Sequence, residues 1–296
     1  MSHKTKIITA CALFIIAISI NAQKNDESIA ASKVEKIAGN FKFTEGPAAD
    51  AQGNVYFTDI PNHLILAWTI NNELDTFRTE SGRANGLFFD KAGNLYVCEG
   101  QEGRISLTTS KGVYKVIAKQ YNGKRFNQPN DLWVDLKGGI YFTDPKYGSN
   151  DTLLDQDGMH VYYIKPNGEI IRVCDDLIKP NGIIGSADAR QLYITDAQAG
   201  KTFKYAINDD GTLADKKLFI ELGCDGMTID INNNLYLTPR GSNNIEIYSP
   251  NGILLESIEV NERPSNVCFG GKKNNELFIT ARTSLYRVKT NTKGAR

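Results

Sequence analysis

Val55-Tyr56-Phe57-Thr58-Asp59 decides how this chain is read, because its pattern returns five more times. Leu95-Tyr96-Val97-Cys98-Glu99, Ile140-Tyr141-Phe142-Thr143-Asp144 and Leu192-Tyr193-Ile194-Thr195-Asp196 repeat it closely, and Leu235-Tyr236-Leu237-Thr238 and Leu277-Phe278-Ile279-Thr280 repeat it in shorter form. The aromatic residues recur every roughly 40–50 residues, the length of one four-stranded propeller blade. Working outward, each copy is preceded by a turn rich in Asp, Gly or Asn, such as Asp50-Ala51-Gln52-Gly53-Asn54 or Asp90-Lys91-Ala92-Gly93-Asn94, which closes a hairpin onto an earlier strand. Two more strands follow, as in Gly158-Met159-His160-Val161-Tyr162-Tyr163-Ile164 and, past Lys165-Pro166-Asn167-Gly168, Glu169-Ile170-Ile171-Arg172-Val173. A helical solenoid would need helices of ten or more residues with a 3.6-residue period, and none is found. The expected fold is all-β: a six-bladed β-propeller with four-stranded antiparallel blades.

A propeller has to close. The last unit offers three strands, ending in Ser284-Leu285-Tyr286-Arg287-Val288, while Lys33-Val34-Glu35-Lys36-Ile37-Ala38 is strand-like and has no hairpin partner of its own. Pairing the two covers both exposed edges, so an N-terminal strand is expected to close the ring.

The propeller is assigned to residues 33–296, preceded by a flexible stretch over 23–32. Residues 1–22 read as a secretory signal: Lys4 and Lys6 precede an apolar run over 7–20, and Asn21-Ala22 before Gln23 forms a cleavage site. Export to the periplasm or exterior is expected. Ile8-Thr9-Ala10-Cys11 has the outline of a lipid-attachment box, but most of the apolar run follows Cys11, so no stable membrane anchor is expected. The 34 basic and 34 acidic side chains form no basic stripe, which argues against a nucleic-acid partner. Cys98, Cys174, Cys224 and Cys268 lack the Cys-x-x-Cys spacing of zinc or redox motifs and are expected as isolated thiols in a body large enough to need no bridges.

Eleven or twelve residues before each repeated aromatic stands Glu45, Asn85, Asn130, Asn181, Asp225 or Asn266. In a propeller these positions share one face at the start of the innermost strands and point toward one axis. Taken singly, Asn85-Gly86, Asn181-Gly182 and Asp225-Gly226 are turn chemistry. Their common phase, and Glu45 before Gly46-Pro47 where a turn gains nothing from Glu, favour a ring. Two carboxylates among carboxamides suit a hard divalent cation, above all Ca²⁺, with Mg²⁺, Mn²⁺ or Zn²⁺ as substitutes. A dedicated zinc site would want His or Cys, absent from the ring.

Phe43-Thr44-Glu45-Gly46-Pro47, Gln128-Pro129-Asn130-Asp131-Leu132, Lys179-Pro180-Asn181-Gly182-Ile183 and Cys224-Asp225-Gly226-Met227 together resemble the signatures of the gluconolactonase, or senescence marker protein and regucalcin, family of calcium-dependent six-bladed propellers. The likeness runs through Arg263-Pro264-Ser265-Asn266-Val267 to the closing strand. It implies that Glu45, Asn181 and Asp225 ligate the metal, that Asn130 is a further ligand or substrate contact, and that Asp225 is the general base or positions the attacking water. The implied activity is the opening of sugar lactones such as glucono-1,5-lactone. A monomer is expected.

Arg125, on the approach to Asn130, is the candidate for holding a sugar hydroxyl or the developing carboxylate; an exposed loop cation is the competing reading. Asn85 is a second wall contact. His63 and His160 have no evident partner, and no Gly-x-Ser-x-Gly elbow is present. The interval between Tyr141 and Tyr193 is the longest, and its extra residues, from Asp144 to Gly158, are expected to form a rim where Tyr147 stacks on a sugar or anchors the loop. Two alternatives remain: a phosphotriesterase-like hydrolase using the same metal and fold, and a binding module whose calcium is structural.

Overall fold

A computed structural model describes residues 28–148 and 152–295 and arranges them as six four-stranded antiparallel sheets around an axis. The first blade consists of Thr44–Ala49, Val55–Asp59, Leu64–Trp68 and Leu74–Arg78, hydrogen-bonded in that order from the axis outward. Blades two to five follow the same order and open with inner strands Ala84–Phe89, Leu132–Val134, Pro180–Gly185 and Cys224–Ile229. In the sixth, Pro264–Gly270, Glu276–Ala281 and Ser284–Lys289 are completed by Glu35–Ala38 from the other end of the chain. The closing register sets Glu35 opposite Arg287 and Ala38 opposite Leu285, so the expected closure is observed. The leader assigned to 1–22 lies outside the described residues. Of the stretch 23–32, residues 28–32 are described and lie against the last blade, with the Ala31 amide donating to the Lys289 carbonyl at 2.7 Å.

The repeated aromatics seal neighbouring blades to one another, which explains their period. Tyr141 packs with Ile183 and Leu192 of the fourth blade, Tyr193 with Met227 and Leu235 of the fifth, and Tyr236 with Val267 and Leu277 of the sixth. Phe278 closes the circle against Val55 and Phe57. The repeated threonines are buried for another reason: their hydroxyls tie inner strands together. Thr58 Oγ1 donates to the Asn85 carbonyl at 3.2 Å, and Thr238 Oγ1 to the Ser265 carbonyl at 2.8 Å, each reaching into the following blade.

The carboxylates that end the second strands hold the loops leading to the axis. Asp59 accepts from the Phe43 amide at 3.1 Å, Asp144 from Asn127 at 2.9 Å, and Asp196 from Ile178 at 2.7 Å. At the opposite end, Asp50 Oδ1 accepts from the Gln52 and Asn54 amides at 2.9 Å, and Asp90 repeats the device; these are the hairpin turns read from the sequence. Cys98, Cys174 and Cys224 are buried free thiols, as expected, and Cys268 is buried too. Among the described residues no helix is long and apolar enough to cross a membrane.

Candidate active site

Four of the six ring positions, those of Glu45, Asn85, Asn181 and Asp225, fall in β-bulges rather than turns, while Asn130 precedes its inner strand Leu132–Val134. Pairing between the first and second strands slips between Glu45 and Ala48, Ala84 and Leu87, Pro180 and Ile183, and Cys224 and Met227. A bulge re-aims a side chain, here toward the axis. The glycine after the ring residue permits the close approach of neighbouring inner strands: Gly46 has φ 47°, and a Cβ there would lie 1.9 Å from the Asn85 carbonyl oxygen. At Gly226 a Cβ would meet the Asn266 carboxamide at 2.0 Å. The Asn-Gly and Asp-Gly pairs therefore mark contacts between blades.

Glu45, Asn85, Asn130 and Asp225 line one cavity of about 560 Å³, together with Phe43, Pro61, Arg83, Arg125, Lys146 and Tyr147. Asn181 joins them through its carboxamide, whose Nδ2 donates to Asp225 Oδ1 at 2.6 Å and to the Tyr147 hydroxyl at 2.7 Å. Asn266, the sixth ring position, donates to Glu45 Oε2 at 3.2 Å, and the same oxygen accepts from the Gly46 amide at 2.8 Å. Shared walls and hydrogen bonds thus draw side chains from all six blades to one end of the axis.

Burial, and after it the charge of Asp225, pushes the Glu45 carboxyl well above the usual carboxylate range. Asp225 is also raised by burial, against the Asn181 hydrogen bond and the charges of Arg240, Arg263 and Arg282. A third carboxylate, Asp131, faces the channel just below. It stands where blades one, two, four and five carry Gly46, Gly86, Gly182 and Gly226, and burial holds it up at about 7. The sequence reading passed over Asp131 as a neighbour of Asn130; the broken Asn-Gly pattern was the available signal.

Arg125 lies at the cavity wall with its fork already engaged. Its NH1 donates to the Phe126 and Asn127 carbonyls at 2.8 and 2.9 Å and to Asp155 at 3.0 Å, while NH2 donates to the Gln101 carbonyl. Asp155 also pairs with Lys146 at 3.1 Å, so these three charges strap the long third-blade loop to the short hairpin Gln120–Tyr121 and Lys124–Arg125. Tyr147 is carried by that loop, and its amide is fixed by Gln128 Oε1 at 2.7 Å. His160 does have a partner: its Nε2 lies 2.9 Å from Asp157 and 3.0 Å from Arg172, outside the cavity wall. The longest interval in the repeat thus builds one side of the mouth.

The sequence profile described as SMP-30/Gluconolactonase/LRE-like region matches residues 43–283, which span the ring from its first blade to its last. The chain belongs to this family. A gluconolactonase of Zymomonas mobilis is 31% identical, over 88% of this chain and 82% of its own length. The solved structure of a gluconolactonase from Xanthomonas campestris superposes with a TM-score of 0.79 at 26% identity, covering 87% of this chain and 89% of that one. Regucalcin from Agrobacterium tumefaciens, described as a calcium-binding protein, shares the fold with a TM-score of 0.75 at 17% identity over 90% of this chain and 95% of its own.

Proposed function

We propose that this gluconolactonase-family hydrolase opens sugar lactones such as glucono-1,5-lactone with a divalent cation, calcium before others, held by Glu45, Asn130, Asn181 and Asp225. One observation carries the reading: the buried Glu45 and the partly buried Asp225 line a single cavity, and the charge of Asp225 helps to push Glu45 up. Among the described residues neither has a cation within ion-pair distance. Hard oxygen donors of mixed charge, with neither His nor Cys among them, fit Ca²⁺ by ligand type. A half-turn of the Asn181 carboxamide would present oxygen where its nitrogen now stands. When bound, the cation would supply Lewis-acid polarisation of the lactone carbonyl and charge stabilisation of the oxyanion.

The side chains account for the remaining steps. Asp225 orients the attacking water and accepts its proton as the water oxygen adds to the carbonyl carbon; the ring C–O bond then breaks, and the proton passes to the departing ring oxygen. Asn181 fixes the rotation of Asp225 through its 2.6 Å bond. The three arginines that bear on Asp225 keep it competent as a base despite its burial. Asn85 and Asn130 offer amide donors and acceptors to sugar hydroxyls from the wall, and Arg125 shapes the mouth through the loop it holds. Export follows in this reading from the leader over residues 1–22, which a mature mass starting at Gln23 would test.

Asp225→Ala is expected to lower lactone turnover by about three orders of magnitude or more, the scale of losing a general base together with a metal ligand, while leaving the circular dichroism of the fold intact. Near-normal turnover by that variant overturns the assignment. Chelation is expected to abolish proton release from glucono-1,5-lactone, and calcium to restore it.

A further inference from the structure

Four arginines crowd the mouth without a carboxylate to hold. Arg83 precedes the inner strand of the second blade and lines the cavity. Arg263 precedes the inner strand of the sixth, and Arg240 and Arg282 follow the second strands of the fifth and sixth. First strands begin and second strands end at the same end of each antiparallel blade, so all four sit at the end that carries Glu45 and Asp225. Arg282 lies over the ring of Phe43, 5.9 Å from its centre, and Phe43 is itself a wall of the cavity. Arg240, Arg263 and Arg282 all act electrostatically on Asp225.

Elsewhere, Arg190 apart, the described arginines are matched. Arg78 and Arg104 hold Glu99, Arg125 holds Asp155, Arg172 holds Asp157, and Arg287 holds Glu35 and Glu276. Among the described residues no ion pair is made by Arg83, Arg240, Arg263 or Arg282. Two of the four also stand in an unfavourable backbone region: Arg83 has φ 51° and Arg282 φ 47°, where Gly or Asn is the economical choice. Arg240 spends one N–H on the Ala197 carbonyl at 3.2 Å. Four guanidiniums without a carboxylate, two of them on strained backbone, gathered at this end of the axis point to an anion that arrives from outside.

We infer that this mouth selects lactones bearing a second, anionic group, a carboxylate or a phosphate, which the arginine collar receives while the lactone ring reaches Asp225. The inference rests on the lactonase reading and adds the substrate class to it. A neutral sugar lactone would leave the collar unmatched; an acidic one is drawn in by its field and held by forked hydrogen bonds.

The bland competitor is that the arginines serve only to keep Asp225 ionised. That role would alter turnover of every lactone alike, which makes selectivity the readout. The test compares kcat/KM of the calcium-loaded protein for glucono-1,5-lactone, glucaro-1,4-lactone and 6-phosphoglucono-1,5-lactone. At least one acidic lactone is expected to exceed the neutral one by about tenfold or more, and the better of the two identifies the anion. Raising ionic strength is expected to lower kcat/KM for that substrate and leave the neutral one nearly flat, a measurement that needs no variant. In Arg83→Gln and Arg282→Gln the ratio of acidic to neutral kcat/KM is expected to fall by about fivefold or more. Equal kcat/KM for all three lactones with no salt dependence overturns the anion preference and leaves the lactonase reading standing. So does a uniform loss across substrates in the variants. Failure to open any of the three overturns both.

Discussion

Glu45→Gln separates the site's chemistry from its stability. Both donors that reach Glu45, the Gly46 amide and Asn266 Nδ2, meet the same oxygen, Oε2, so a glutamine oxygen can replace it without losing either bond. The new amide group then occupies the other carboxylate position, where it can no longer repel Asp225. In the wild-type protein the carboxyl of Glu45 is held well above its ordinary 4.5 by burial and by Asp225. For an acid raised in the folded state, the unfolded chain releases the proton first, so stability falls as pH climbs above about 4.5. At pH 8 and without metal the neutral isostere removes that loss. A gain of about 1–2 kcal/mol, usual for a single stabilising change, raises Tm by about 2–8 °C at the sensitivity of a large domain. Metal reverses the order. At free calcium about one hundred times Kd, the wild type gains about 2.7 kcal/mol, while the variant has lost one of two anionic ligands and keeps only a fraction of that rise. Thermal unfolding in chelator and in calcium measures both halves. A variant less stable than wild type in chelator, or one with the whole calcium-induced rise, refutes the idea that Glu45 and Asp225 are a repelling pair awaiting a cation.

Deleting residues 33–38 removes the strand that covers Ser284–Lys289, the pairing of Arg287 with Glu35 at 3.1 Å, and the packing of Ile37 and Ala38 on Phe57 and Leu285. A loss of about 2–4 kcal/mol and aggregation through the bared edge are expected; unchanged Tm would contradict the closure's role. Thr238→Val leaves the Gly226 amide and the Ser265 carbonyl without their buried partner, for a cost of about 1–3 kcal/mol by denaturant titration. Burial raises the Asp144 carboxyl from 3.8 to about 8, against the hydrogen bonds of the Asn127 and Gln128 amides. Its share of stability is therefore present in acid and lost as pH rises from about 4 to 8, and Asp144→Asn should flatten the pH profile of Tm over that window.

The sequence carried the architecture well because each blade repeats the same physical solution. Tyr141, Tyr193 and Tyr236 recur since every blade needs an aromatic against its neighbour, and Asp50 and Asp90 recur since every hairpin needs its amides held. The ring residues were legible by phase, as departures from a repeat that otherwise demands nothing of that position. What the pattern could not supply was the company each polar group keeps. Arg125 reads as a substrate contact on sequence proximity to Asn130, but the Gln101 and Asp155 that engage its guanidinium belong to other segments. Asp131 sits one place off the ring phase, and only the channel geometry brings it near Asn266 and the charge of Asp225. Tyr147 left stacking and anchoring open; its hydroxyl is placed on Asn181 by a loop outside the repeat.

Fold and chemistry meet in the bulges, and the division of labour there is uneven. The hydroxyls of Thr58, Thr143, Thr195 and Thr238 secure the bulge backbone, so the side chain that the bulge turns inward is released from structural duty. An amide such as Asn85 or Asn130 can then be exchanged with consequences for the cavity and little for the ring. Glu45 and Asp225 do not enjoy that independence. Two ionisable groups buried beside each other weigh against the fold whenever they are charged and unmatched, so whatever matches them also stabilises the propeller. Occupancy of the site and stability of the body are therefore coupled through this pair of carboxylates.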